Sequence, residues 1–354
     1  MDFDLTQEQE EFRLAVREFA EDVLALGVRE RDQGGGFPIE IARRMGELGL
    51  FGLPFPERYG GLDADFLTFC VCLEEIARAD SRIATMLEAA VVLGANPVYR
   101  FGTERQKERW LTPMARGQIL GSFGLAEPGG SSDAGSIRTT ARLEGDEWVV
   151  DGSKAFVANV GTAISKVCTV AAVTGEREIS SILVPADTPG FSIGPADPRA
   201  GRYAGDPRDL VLSGCRVPRE NLLGEPGRGY AQALELLDDG RIAVAALSTG
   251  LARGLEETVT LATEREDAGQ RAGALEPIGL DITDVRTALE NTRLGYLRAA
   301  WLKDHGRPYE NQAGVANLLA GELQQLLIAG DLDMPGTEHP FGLKSTEPGD
   351  DEDG

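Results

Sequence analysis

A chain of 354 residues, 42% apolar and 26% charged, is long enough for a large buried core and has an ordinary globular composition. Its net charge of -23 argues against nucleic acid as a partner, because phosphate binding needs clustered Lys and Arg. The same charge disfavours anionic membrane surfaces.

The predicted elements run helices, then strands, then helices. Thr6 and Gln9 form a capping box, and Leu5, Phe12, Val16, Phe19 and Val23 recur at helical spacing up to Gly27. Gly34 to Gly36 break the chain before Pro38 opens a second helix, which Gly49 ends. Pro54, Pro56 and Gly60-Gly61 mark a loop, Asp65 to Ala79 reads as a helix, and Thr103 with Gln106 forms a second capping box ahead of Trp110. From Gly121 the pattern turns to short β-type runs. Glu147 to Val150 and Ala155 to Val157 flank Asp151-Gly152, a hairpin signal, and 167–173, 180–184 and 209–212 read as further strands. After Pro226, Leu234, Leu237, Val244, Leu251, Leu255 and Val259 mark one helical stripe. Ile282, Val285, Leu289, Thr292, Tyr296 and Ala299 mark a second; Val315, Leu318, Leu319, Leu323, Leu326 and Leu327 mark a third. The organisation is α+β: a helical domain over 1–118, an antiparallel β-barrel or sandwich over 119–225, a helical bundle over 226–330 and an acidic, solvated tail over 331–354.

Cys70, Cys72, Cys168 and Cys215 are too sparse and irregular for a disulfide framework or a zinc site. The two histidines, His305 and His339, lack ligand spacing, so neither a catalytic histidine nor a metal centre is expected. The acidic start Met1-Asp2-Phe3-Asp4 carries no basic-then-apolar signal, and no apolar run approaches the roughly 20 residues that span a bilayer. A soluble protein of a reducing, cytoplasmic compartment is expected. Trp110, Trp148 and Trp301 read as core or interface packing.

Two stretches carry chemistry. Gly124-Leu125-Ala126-Glu127-Pro128-Gly129-Gly130-Ser131-Ser132-Asp133 and Gly152-Ser153-Lys154-Ala155-Phe156-Val157-Ala158-Asn159 are rich in small residues, which let backbone groups approach a large flat ligand. They resemble the flavin signature of the acyl-CoA dehydrogenase family, T-E-P-x-x-G-S-D followed by W/F-I-T-N. Other family motifs are matched in order by Glu57-Arg58-Tyr59-Gly60-Gly61, Phe101-Gly102-Thr103-Glu104-Arg105-Gln106-Lys107, Cys215-Arg216-Val217-Pro218, Asn221-Leu222-Leu223-Gly224 and Leu237-Asp238-Asp239-Gly240-Arg241. The resemblance covers about residues 1–329 and implies the acyl-CoA dehydrogenase fold with its last helix missing. It also implies FAD, an acyl-CoA or acyl-carrier-protein thioester as substrate, and electron-transfer flavoprotein as acceptor. In the implied reaction a carboxylate takes the α-proton and the flavin accepts the β-hydride, so the cofactor carries the redox chemistry. Carried over residue by residue, Phe123, Leu125, Ala126, Phe156, Val157 and Ala158 fall at flavin-contacting positions. Ser132 falls at a cofactor or thioester contact. Arg265 falls where the family has an arginine for the cofactor pyrophosphate, a role suited to its planar fork; a surface salt bridge with Glu264 or Glu266 is the other reading. Asp238 and Arg241 fall beside the thioester.

The departures fall at functional positions. Ala126 and Ala158 replace threonines, and the acidic run Glu266-Asp267 follows Arg265. The family's base comes either from a late I-Y-E-G-T segment, absent here, or from a Glu at the position of Gly240. No matched catalytic residue remains. Asp238 and Asp239 are the nearest carboxylates, and each is read either as a base or, more simply, as a helix-start acid satisfying the N-terminal dipole. Three readings follow. One is the reduced subunit of a hetero-oligomer whose related full-length acyl-CoA dehydrogenase chain supplies the base, association with itself being the alternative. The others are a self-sufficient flavin enzyme with another base, and a non-catalytic binding or scaffold homologue without flavin.

Overall fold

In a computed structural model of the chain, the described residues are 4–28, 37–129, 137–176, 178–196, 207–267 and 282–329. Ten helices carry the labels used below: α1 (Gln7–Phe19), α2 (Ile39–Glu47), α3 (Phe66–Ala79), α4 (Ser81–Glu88), α5 (Asn96–Phe101), α6 (Glu104–Gln106), α7 (Thr112–Ala115), α8 (Gly229–Asp267), α9 (Ile282–Asp304) and α10 (Glu310–Ala329). A π-helical segment, Ala89–Ala95, joins α4 to α5. The strands are β1 (Leu120–Gly124), β2 (Thr140–Glu144), β3 (Glu147–Val157), β4 (Ser165–Gly175), β5 (Glu178–Pro185), β6 (Phe191–Ala196), β7 (Arg208–Pro218) and β8 (Leu222–Leu223).

Both capping boxes form. The Gln9 N–H donates to Thr6 Oγ1 at 3.2 Å while the Thr6 N–H donates to Gln9 Oε1 at 3.0 Å, and Thr103 and Gln106 repeat the exchange at 2.9 and 3.2 Å. Gln106 then does a second job. Its Nε2 donates to the Glu220 and Leu222 carbonyls, both at 2.9 Å, which fastens the helical region to the β domain.

The β domain differs from the antiparallel expectation. Its sheet runs β6-β7-β3-β2-β4-β5-β8, and β1 pairs with β4 in parallel, as does the start of β2. The sheet is therefore mixed. The Asp151-Gly152 hairpin is also corrected, because both residues lie inside β3 and the turn falls at Gly145-Asp146 instead. Two long-range demands explain the change. Asp151 Oδ1 accepts the Gly214 N–H at 2.7 Å, and a Cβ on Gly152 would lie 2.5 Å from Thr139 Oγ1. The dipeptide thus makes an irregularity in the β3–β7 ladder, where the register shifts between Val150 and Gly152.

Two helical stripes also read differently in three dimensions. On α8, Leu234 and Leu237 are exposed, while Ala233, Leu236, Ile242, Ala243 and Ala246 are buried. The face was hard to read because small residues make the contact. A Cβ on Gly250 would fall on the Glu74 carbonyl and one on Gly254 on that of Arg78, so α8 crosses α3 at backbone distance. Replacing Gly250 with Ala is expected to destabilise the fold by about 1–3 kcal/mol through overpacking. A urea titration showing an unchanged midpoint would rule out that close crossing. On α10, Leu323 and Leu327 face inward but Val315 and Leu318 are exposed. The stripe on α9 is buried at Val285, Leu289, Thr292, Tyr296 and Ala299.

Buried carboxylates stitch these helices together. Glu75 of α3 takes Arg13 Nη1 at 2.7 Å and Arg17 Nε at 3.0 Å from α1. Glu74 takes Arg253 from α8 and Arg293 and Tyr296 from α9. All four cysteines are free and buried. Among the described residues no helix is long and apolar enough to cross a membrane.

Candidate active site

The two small-residue stretches meet at one end of the sheet. β1 ends at Gly124, and the segment after it turns over β3, where the Ala155 N–H donates to the Ala126 carbonyl at 2.9 Å. Lys154 locks the junction from below. Its side chain is 0% exposed, and Nζ donates to Glu127 Oε1 at 2.8 Å and to the Leu125 carbonyl at 3.1 Å. Glu127 also accepts the backbone N–H groups of Arg138 and Thr139 at 2.8 and 2.9 Å. Burial would raise the Glu127 carboxyl, but Lys154, Thr139 and Arg138 outweigh it and hold the group down at about 2. The lysine gains less, because its own burial keeps it below the usual lysine range despite Glu127.

The second stretch is held in an unusual backbone. Phe156 and Asn159 have φ of 57° and 60°, in the left-handed region that non-glycine residues seldom adopt. The Phe156 ring is 63% exposed, whereas Val157 is buried in the core of the β domain. Val157 can therefore present only backbone to a ligand. Phe123, Leu125, Ala126 and Ala158 are half-buried around the same junction. Asn159 is fully buried; its Nδ2 donates to the Met86 carbonyl at 3.0 Å, while its Oδ1 has no partner among the described residues. Ser122 Oγ on β1 is likewise buried without a partner. Such orphaned groups cost free energy unless a ligand or water meets them.

Below the junction lie α4 and its π-segment. A Cβ on Gly94 would lie 2.6 Å from the Gly121 carbonyl, so this helix touches the β1 backbone directly. Beside it is α8, which begins at Gly229, so Asp238 and Asp239 lie in its third turn and not at the helix start that the sequence suggested. There Asp238 Oδ1 accepts Arg241 Nη1 at 2.6 Å, a pair at the rim with Arg241 exposed. Asp239 is 0% exposed and enclosed. Its Oδ1 accepts Lys303 Nζ and the Tyr309 hydroxyl, both at 2.7 Å, and its Oδ2 faces Asn96 Nδ2 at 2.9 Å and Arg100 Nη1 at 3.4 Å. Burial and the adjacent Asp239 keep the Tyr309 phenol protonated far above its usual range. Asp239 thus ties α8 to α5, to the end of α9 and to the segment before α10. Both of its oxygens are engaged, a use that leaves no free lone pair for a substrate proton.

Ser132 lies outside the described residues, and of Arg265 only the helical backbone is described. The segment after 329, on which the expectations of a missing last helix and an acidic tail fall, also lies outside them.

Comparison with known proteins decides the family. Three successive family descriptions match the chain: the acyl-CoA dehydrogenase N-terminal domain over residues 6–118, the middle domain over 122–215 and the C-terminal domain over 227–337. The chain belongs to the acyl-CoA dehydrogenase family. It is 41% identical over 329 residues to a probable acyl-CoA dehydrogenase, YngJ, of Bacillus subtilis, covering 91% of this chain and 86% of that protein. It is 37% identical over 322 residues to the mitochondrial short-chain specific acyl-CoA dehydrogenase of Mus musculus, covering 90% and 78%. The structure of butyryl-CoA dehydrogenase from Megasphaera elsdenii superposes with a TM-score of 0.84 at 33% identity, covering 93% and 88%.

Sequence reasoning found the two stretches but not what joins them. Glu127 and Lys154 each sit in a recognised motif, and the signal that they form a pair was that both motifs carry a charged residue at the edge of a small-residue run. Glu88, at the end of α4, gave no signal in sequence at all.

Proposed function

We propose that this family member carries out FAD-dependent α,β-dehydrogenation of a short acyl-CoA thioester. The observation that carries the reading is the junction of the two stretches, where an exposed Phe156 and the half-buried Phe123, Leu125, Ala126 and Ala158 come together. A mostly apolar surface lined by small residues fits the flat face of an isoalloxazine ring. Phe123, Leu125, Ala126, Phe156, Ala158 and the backbone at Val157 would hold the ring, with Ser132 and Arg265 toward the phosphates. When bound, FAD supplies the hydride acceptor. The chain's residues orient the thioester and keep the junction rigid through Lys154 and Glu127. Asp238 and Arg241 mark the rim by which the thioester enters. The short acyl class follows from the short-chain specific relatives, and electron-transfer flavoprotein is the acceptor such a reduced flavin would need.

The chemistry of this chain's loops makes a quantitative prediction. Restoring hydroxyls with the double substitution Ala126→Thr and Ala158→Thr is expected to tighten FAD binding by about 1–3 kcal/mol, two net hydrogen bonds, or roughly 5- to 150-fold. Flavin fluorescence quenching on titration reads this directly, and an unchanged or weaker Kd places the loops elsewhere than on the ring. The reading as a whole is tested by anaerobic addition of butyryl-CoA to the FAD-loaded chain.

A second reading adds a subunit, and one observation favours it. Val315 and Leu318, 54% and 63% exposed on α10, are large apolar side chains that a partner would cover. A related full-length acyl-CoA dehydrogenase chain or a second copy would serve. Light scattering before and after Leu318→Glu separates the cases, because loss of an assembled mass places the contact on this face.

A further inference from the structure

We propose that Glu88 is the general base that removes the α-proton of the thioester, an inference that rests on the dehydrogenation reading above. Three observations converge on it. Glu88 closes α4 where the helix widens into its π-segment, and its side chain is 93% buried, being 7% exposed. No described residue donates a hydrogen bond to it or pairs with it, in contrast to the buried carboxylates of Glu74, Glu75 and Asp239. And a Cβ placed on Gly240 would meet one atom within 4 Å, Glu88 Oε1 at 3.8 Å. Among the described residues outside α8, the Glu88 carboxyl is therefore the group that faces the helix at Gly240.

The position suits the chemistry. Two residues before Glu88, the Met86 carbonyl holds Asn159 at the end of the Phe156 loop. Six residues after it, Gly94 touches β1 at Gly121. Glu88 thus lies on the helix that floors the junction, and the neighbouring Asp239 anchor fixes Gly240 against it. Burial alone pushes the Glu88 carboxyl up to about 8, a value near the operating range of a general base. The charged groups on the elements packed around it include Arg82 of α4 and its N-cap Asp80, Glu74, Glu75 and Arg78 of α3, Arg100 of α5, and Glu235, Asp238, Asp239, Arg241, Arg253, Glu256 and Glu257 of α8. None of them contributes to the shift. β1 and α7 bring no charged side chain.

In the proposed step the Cα–H bond breaks and its proton passes to the Glu88 carboxylate. The bonding pair becomes the Cα=Cβ double bond, and the Cβ–H pair leaves as hydride to oxidised FAD, the oxidant. The lack of a partner among the described residues is then functional, since a salt-bridged carboxylate would be too weak a base.

The test uses the full chain loaded with FAD. Glu88→Gln is expected to retain FAD binding and butyryl-CoA binding, and to slow anaerobic flavin bleaching by about 10²–10⁴-fold. It should also abolish exchange of the thioester α-proton with D₂O, read by mass spectrometry of the recovered thioester. Moving the carboxylate across the gap, Glu88→Ala with Gly240→Glu, is expected to restore bleaching to within about tenfold of wild type. A cofactor-free readout accompanies these. The raised pKa means that wild type loses stability, relative to Glu88→Gln, as pH rises from about 4.5 toward about 8. Comparable bleaching by wild type and Glu88→Gln overturns the proposal and leaves the dehydrogenation reading standing. Wild type that never bleaches overturns both. Should Glu88→Gln fail to fold, the relocated carboxylate decides, and a folded but inactive double variant overturns the proposal.

Discussion

Replacing Asp239 with Ala is expected to destabilise the protein by about 3–5 kcal/mol, the cost of breaking a buried ion-pair network from one side. The reason lies in what the substitution strands. Lys303 and Arg100 lose their buried counter-charge, and Tyr309 and Asn96 lose their acceptor. Those four residues come from two helices, α5 and α9, and one connecting segment, so the loss reaches the packing of α8 against α5, α9 and the segment before α10. Asp239→Asn keeps the volume and one acceptor oxygen and should cost less, though it still leaves Lys303 underpaired while Arg100 keeps Glu235. Urea unfolding of both variants measures the difference. A loss under about 1 kcal/mol for Asp239→Ala, as for an exposed pair, would show that Asp239 is not the anchor described.

Glu127→Gln is expected to cost about 3 kcal/mol at neutral pH, and its effect should fade in acid. Holding the carboxyl at about 2 instead of the ordinary 4.5 corresponds to about 3 kcal/mol by linkage. The depressed pKa sets the sign. The stabilisation is fully present above about 4.5 and is lost as pH falls toward about 2. Lys154's own burial works against the pair, so this figure is an upper bound for the pair itself. The substitution also leaves a fully buried ammonium without its carboxylate, which acts in the same direction. Because Lys154 also holds the Leu125 carbonyl, the variant should weaken FAD binding as well. Unfolding midpoints of wild type and variant should differ by a constant amount between pH 7 and about pH 5 and draw together as the pH falls to 3 and below. A gap that stays constant down to about pH 3 would mean that Glu127 is not held down by its hydrogen bonds.

What the sequence made legible was local. The Thr6–Gln9 and Thr103–Gln106 capping boxes each need residues three apart, and both formed. The stripe on α9 was legible because its large residues, Val285, Leu289 and Tyr296, are the ones that face the core. Elsewhere the deciding interaction was distant. Asp151-Gly152 has a turn's composition, but Gly214 and Thr139, far along the chain, recruit it into a strand. On α8 the eye follows Leu234 and Leu237, while the packing follows Ala243, Ala246 and Gly250, because close helix crossing favours residues without bulk. The site divides in the same way. Its loops announce themselves through small residues at fixed spacing. The cage of Asp239, the Glu127–Lys154 lock and the approach of Glu88 to Gly240 depend on which helices cross, and pattern alone does not report a crossing. The absence of a matched base was read from motifs, which can show only where a carboxylate is missing. A carboxylate reaching the same space from another helix leaves no trace in them.

The central claim is that this chain, as an acyl-CoA dehydrogenase family member, removes hydrogen from an acyl-CoA onto bound FAD. The most direct test is an anaerobic titration of the FAD-loaded chain alone with butyryl-CoA, following the visible flavin absorbance. Bleaching that saturates with added thioester, and returns on admitting an electron acceptor, is the predicted result. A chain that binds FAD and butyryl-CoA yet leaves the flavin oxidised across a panel of acyl-CoA lengths would contradict the account.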